Sequence, residues 1–174
     1  MFLKKYFLPL FILCIAGYFI GKYLYMKPKY VNGETAPNFQ SELLTGEKFE
    51  LSQLHGKYVL LDFWGTWCAP CLKEIPELKA LHEKFAPKGL EVVSVALEYG
   101  EKTNRLESAI SRKGLNWKYH LIDPIKGKIF DASIATKLYG VREIPTKYLI
   151  NPDGYIVGVN LSYEEMSKIL EKNL

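Results

Sequence analysis

The sequence predicts an α/β domain, a mixed sheet with helices on both faces, carried on one N-terminal membrane-spanning helix. Three observations predict it. Tyr58, Val59, Leu60, Leu61 and Phe63 form a nearly continuous apolar run, the pattern of a strand buried on both faces. Leu72, Ile75, Leu78, Leu81, His82 and Phe85 then recur at steps of three and four, which gives a helix one apolar face against that sheet. Finally, residues 6–21 carry no charge between Lys5 and Lys22, and about twenty such residues span a bilayer as a helix.

Taken in order, residues 1–26 read as an uncleaved membrane anchor with Lys22 snorkelling at its end. A cleaved signal sequence is the rival, but the small residues Ala16 and Gly17 sit in mid-run rather than at a cleavage site. Lipid attachment at Cys14 is disfavoured by the bulky Leu13 before it. Lysines flank the run on both sides, so charge leaves its orientation open. Residues 27–38, with Pro28, Asn32, Gly33 and Pro37, read as a linker, and residues 39–174 as one domain.

Within the domain, Phe39, Leu43 and Leu44, then Thr45-Gly46-Glu47-Lys48, then Phe49 and Leu51 predict a small hairpin, and residues 51–54 a helical turn ended by Gly56. Residues 90–97 form a second buried strand and residues 103–113 a helix with Leu106, Ala109 and Ile110 on one face and Gly114 as its cap. Residues 117–122 read as a strand closed by Asp123-Pro124, and residues 130–138 as a helix ended by Gly140. Residues 147–151 and 155–159 flank Pro152-Asp153-Gly154 as a closing hairpin, and Ser162 with Glu165 caps a last helix.

The chemistry concentrates where the first strand turns into the first helix. Cys68 and Cys71 are the domain's two cysteines. At a helix start, unpaired N–H groups and the partial positive charge favour a thiolate, so Cys68 is the expected nucleophile. Pro70 suits the first turn, where no N–H is missed. Cys71, one turn on, can form a reversible disulfide with Cys68 and resolve a mixed disulfide. A zinc site needs four ligands, and no second CxxC is present while His55, His82 and His120 are scattered in sequence.

Trp67-Cys68-Ala69-Pro70-Cys71 at the end of a buried strand resembles the thioredoxin superfamily, and the segment from Ala36 to Lys57 resembles the hairpin shared by the TlpA/ResA group and the peroxiredoxins. The resemblance covers residues 34–174. It implies a three-layer thioredoxin-like fold with the hairpin and a helix and strand added. It also implies a role for Asp62 in handling the proton of Cys71, a cis Ile144-Pro145-Thr146 loop beside the dithiol, and Pro76 within the helix. Glu74 matches an active-site glutamate of the ResA-like group, leaving open which acid serves Cys71. Trp67, Ala69, Pro70, Ile144, Pro145 and Thr146 would line the substrate groove. An acid in an apolar run is costly unless paired or neutral, which itself singles out Asp62. The second strand contains no lysine to partner it.

By the same resemblance the protein is a bacterial single-pass cytoplasmic-membrane protein with its domain on the extracytoplasmic side. It would reduce disulfides in protein substrates, apocytochrome c among them, with electrons from a membrane thiol donor of the DsbD/CcdA kind. It would use no cofactor beyond its own disulfide. An oxidase or isomerase would use the same residues. A thiol peroxidase is disfavoured because Thr66 lies two residues before Cys68 and no proline of the peroxidatic pattern precedes it. A copper-handling module would favour a CxxxC spacing. Apart from Lys4, Lys5 and Lys22, 20 basic residues face 19 acidic ones, which leaves no footprint for nucleic acid.

Overall fold

The computed structural model describes residues 2–27, 29–100, 104–127 and 131–174. Helix α1 (Phe2–Met26) leads the chain. Its stretch Leu8–Met26 has 19 residues of mean hydropathy 1.6, none buried, and is long and apolar enough to cross a membrane. Residues 29–38 then lie along the domain: Gly33 N donates to Ile156 O at 2.8 Å, Ala36 N to Gly154 O at 2.9 Å, and Lys29 Nζ to Leu138 O at 2.9 Å.

Strands β1 (Gln40–Glu42) and β2 (Lys48–Glu50) form the predicted hairpin, followed by a 3-10 turn at Leu51–Leu54. The main elements are β3 (Tyr58–Trp64), α2 (Ala69–Phe85), β4 (Leu90–Tyr99), α3 (Asn104–Lys113), β5 (Tyr119–Ile125), β6 (Thr146–Ile150), β7 (Ile156–Val159) and α4 (Tyr163–Asn173). The sheet order is β5-β4-β3-β6-β7, with β3, β4 and β5 parallel and β6 and β7 antiparallel. This is the thioredoxin-like arrangement that the sequence predicts, with the hairpin held to the β5 edge by a Leu43–Leu121 bridge.

Strand alternation divides the core. Val59, Leu61 and Phe63 face one layer with Phe39, Phe49, Tyr139 and Tyr148, whereas Tyr58, Leu60 and Trp64 face α2 with Ile75, Leu78 and Phe85. Asp62 shares the parity of the second set. In register beside it stand Lys147 of β6 and Ser94 of β4, and His120 of β5 follows Ser94, so a polar rung crosses an otherwise apolar face.

Two segments differ from the pattern. Strand β5 starts at Tyr119 and runs on through Asp123-Pro124 to Ile125; an edge strand tolerates proline, because its missing N–H need not enter a ladder. The segment expected as a helix is a short π-helical turn, Ser133–Leu138, with Tyr139 N bonded to Ile134 O at 3.0 Å. Asp123 accepts from the N–H groups of Ser133, Ile134 and Ala135 at 2.7–2.8 Å and fixes its start. Phe130 and Thr103, the expected first residues of two helices, lie outside the described residues.

Candidate active site

The loop after β3 is anchored to the end of β4. A Cβ on Gly65 would meet Leu97 O and Trp67 Nε1, each at 3.0 Å, so any side chain there would force the loop or its neighbours to shift. Trp67 Nε1 donates to Leu97 O at 2.7 Å. Thr66 donates to the buried Glu98 carboxylate twice, from its N–H at 2.6 Å and its hydroxyl at 3.0 Å. That tether delivers Cys68 to the start of α2 as its N-cap, where Cys71 N donates to Cys68 Sγ at 3.2 Å and Leu72 N to Cys68 O at 3.1 Å. Cys68 and Cys71 are joined by a disulfide. Both are buried, whereas Ala69 and Pro70 between them are exposed.

The facing wall is the loop into β6. The Ile144–Pro145 bond is cis, and the Ile144 carbonyl oxygen lies 3.7 Å from Cys68 Sγ. Thr146 Oγ1 donates to Glu143 O at 2.7 Å and pins the loop from inside. Trp67, Ile144 and Pro145 are half-buried, and Pro145 lines one cavity with Cys71. The exposed Tyr99 ring sits 5.7 Å from Trp67 and extends the apolar platform.

Beneath the disulfide, Asp62, Trp64, Cys71, Glu74, Pro145 and Tyr163 line one small cavity. Asp62 is 6% exposed. Burial pushes its carboxyl up to about 7, Lys147 opposes that rise, and Glu74 adds to it. Such a group exchanges a proton near neutral pH. Glu74, which sequence spacing alone leaves as a solvated helix residue or a site residue, is paired: the Lys147 ammonium bridges to it, and Tyr163 Oη donates to it at 3.3 Å. The Lys147 ammonium also lies 4.8 Å from the centre of the Tyr163 ring. Burial and the neighbouring Asp62 raise the Tyr163 phenol, which stays protonated.

The ammonium that β4 lacks is thus supplied by β6. Lys147 could have been suspected as a lone lysine in the apolar run Thr146-Lys147-Tyr148-Leu149-Ile150, the same signal that marks Asp62. Glu98 carries that signal too, at the end of a buried strand. Tyr163 has none, since only the docking of α4 on α2 brings it here. His82 and His120, far apart in sequence, each place a ring 5.4 Å from Trp117, and Trp117 Nε1 donates to Ser94 Oγ at 2.9 Å.

A disulfide at a helix start, a cis-proline loop and a buried acid define a thioredoxin-like thiol–disulfide site. The chain matches the AhpC/TSA family over residues 32–159 and belongs to it. It is similar to the thiol-disulfide oxidoreductase ResA of Bacillus subtilis, 36% identical over 151 residues that cover 86% of this chain and 79% of the relative. It is also similar to the thioredoxin-like protein YneN of the same organism, 33% identical over 97% of this chain and 98% of the relative. Among solved structures, the thioredoxin domain of a thiol-disulfide oxidoreductase from Bacteroides vulgatus superposes with TM-score 0.69 at 27% identity, covering 82% of this chain and 99% of that one. The chain is a thiol–disulfide oxidoreductase of the ResA-like kind.

Proposed function

We propose that this oxidoreductase is a reductant of protein disulfides, anchored in the bacterial cytoplasmic membrane by α1 with its domain on the extracytoplasmic side. The observation that carries the reading is the redox-active cysteine pair at the start of α2, a disulfide in this structure, facing the Ile144 carbonyl and backed by a buried acid with a proton affinity near neutral. In the reduced protein the Cys68 thiolate attacks a substrate disulfide, forming a mixed disulfide and expelling one substrate thiolate. Cys71 then loses its proton and attacks Cys68 Sγ, which releases the second substrate thiolate and leaves the Cys68–Cys71 disulfide. Two electrons pass to the substrate; the one proton given up, that of Cys71, is matched by protonation of one released thiolate, and the other released thiolate takes its proton from solvent.

Asp62 is the acceptor for the Cys71 proton, because it lines the same cavity and is held near pH 7. Glu74 and Lys147 set the charge around it, and Trp67, Ala69, Pro70, Ile144 and Pro145 form the rim over which an extended substrate segment lies, while Thr146, expected on that rim, is buried and holds the loop from beneath. The CxxCH disulfide of apocytochrome c is a substrate of the right form, and a membrane thiol protein of the DsbD/CcdA kind would return the electrons. A peroxidase role is disfavoured, since the Thr66 hydroxyl is committed to Glu98.

The test is reduction of insulin by the pre-reduced chain, followed by precipitation of the freed B chain. The wild-type protein should reduce it, Cys68→Ser should not, and Cys71→Ser should accumulate a mixed disulfide through Cys68. Failure of the wild-type protein to reduce insulin or any CxxCH peptide would overturn the reading.

A further inference from the structure

The join between α1 and the domain is a strap rather than a free tether. Tyr25, in the last turn of α1, stacks on the Arg142 guanidinium at 4.8 Å, and Arg142 Nη1 lies 3.5 Å from its hydroxyl. Four residues later Lys29 donates to Leu138 O at 2.9 Å. Its side chain crosses Gly140 so closely that a Cβ there would come within 2.5 Å of Lys29 Cβ. The Tyr30 ring then packs 6.0 Å from Tyr139, whose hydroxyl donates to Pro37 O at 2.6 Å. The chain leaving α1 is therefore laid along residues 138–142.

That same segment leads directly into the redox groove. Ile144 follows Arg142 by two residues, at most about 7 Å of extended chain. Its carbonyl oxygen lies 3.7 Å from Cys68 Sγ. A domain of this size is roughly 35 Å across, so a free tether would let the dithiol range over that distance and face any direction. The join also has the composition of a membrane interface: Tyr23, Tyr25 and Tyr30 lie among Lys22, Lys27, Lys29 and Arg142. Aromatic rings gather at headgroup level, and cations there suit anionic lipid.

We propose that this strap seats the domain on the bilayer with the cis-proline rim of its groove toward the membrane, so that the thiol partner meeting Cys68 presents its own reactive cysteines at the membrane surface. The proposal rests on α1 being a membrane anchor, as argued above.

The full chain, methyl-labelled at isoleucine, would be placed in nanodiscs of anionic lipid containing a gadolinium-chelating headgroup, and methyl relaxation measured residue by residue. Ile134 and Ile144 lie near the strap, while Ile110 on α3 and Ile169 on α4 pack on the α2 side of the sheet. The wild-type chain should relax several-fold faster at Ile134 and Ile144 than at Ile110 and Ile169. Arg142→Ala combined with Lys29→Ala should abolish that difference, with the methyl spectrum itself reporting that the domain remains folded. Equal or reversed relaxation in disc-bound wild-type protein would overturn the orientation while leaving the anchor intact. A chain that does not co-purify with the discs would overturn the anchor and the orientation together.

Discussion

Replacing Asp62 with asparagine should stabilise the oxidised protein at alkaline pH and change little at acid pH. The carboxyl is raised from 3.8 to about 7, chiefly by burial. Below about pH 4 it is neutral in both the folded and the unfolded chain, so its burial costs little. Between about pH 4 and 7 the folded protein retains a proton that the unfolded chain gives up, and stability falls as pH rises. Above pH 7 the loss is complete and the curve is flat. A rise of about three pKa units corresponds to about 4 kcal/mol. Asparagine does not ionise, so the variant's stability relative to wild type should increase by that amount from pH 4 to pH 8. Urea unfolding of residues 27–174 at both pH values measures this directly, since contributions of other groups cancel between the two proteins. Parallel pH dependences in the two proteins would refute the assignment of a raised, ionisable Asp62.

Other substitutions test the surrounding structure. Lys147→Met removes the cation that opposes the rise at Asp62 and leaves Glu74 with only the Tyr163 hydroxyl as partner. The pH midpoint for resolution of a mixed disulfide by Cys71 should therefore move upward. With Glu74 partly exposed, the stability loss should be on the order of 2 kcal/mol in urea unfolding. Glu98→Ala strips both acceptors from Thr66 and should cost about 2–3 kcal/mol, read from the urea midpoint, with Glu98→Gln costing less. Asp123→Ala frees three backbone N–H groups at the start of the π-helical turn; a loss of about 3 kcal/mol is expected in the same assay.

What could be read from the sequence was whatever depends on neighbours along the chain. The strand ending in Trp64, the amphipathic run to Phe85 and the cysteines at their junction share one local pattern, and the hairpins and the Ser162 cap are equally local. Asp62 was legible because a charge in an apolar run needs an explanation. Lys147 obeys the same rule, but its partnership with Glu74 and its place beside Asp62 arise only from the antiparallel register of β6 on β3. Glu98 is similar, since its purpose is visible only once Thr66 folds back on the end of β4. The turn at Ser133–Leu138 has no period that sequence reading would recognise, and it is organised from outside by Asp123. Tertiary context also placed Asp123 inside a strand, where Asp-Pro suggests a stop.

The measurement that bears most directly on the reductant reading is the midpoint potential of the Cys68–Cys71 couple. It is obtained by equilibrating residues 27–174 in thiol buffers and counting alkylated thiols at each poise. A value near or below the roughly −270 mV of thioredoxin is predicted, and it would require an electron supply through the membrane. A value near the roughly −120 mV of a strong oxidant would contradict the account and make the protein a disulfide donor.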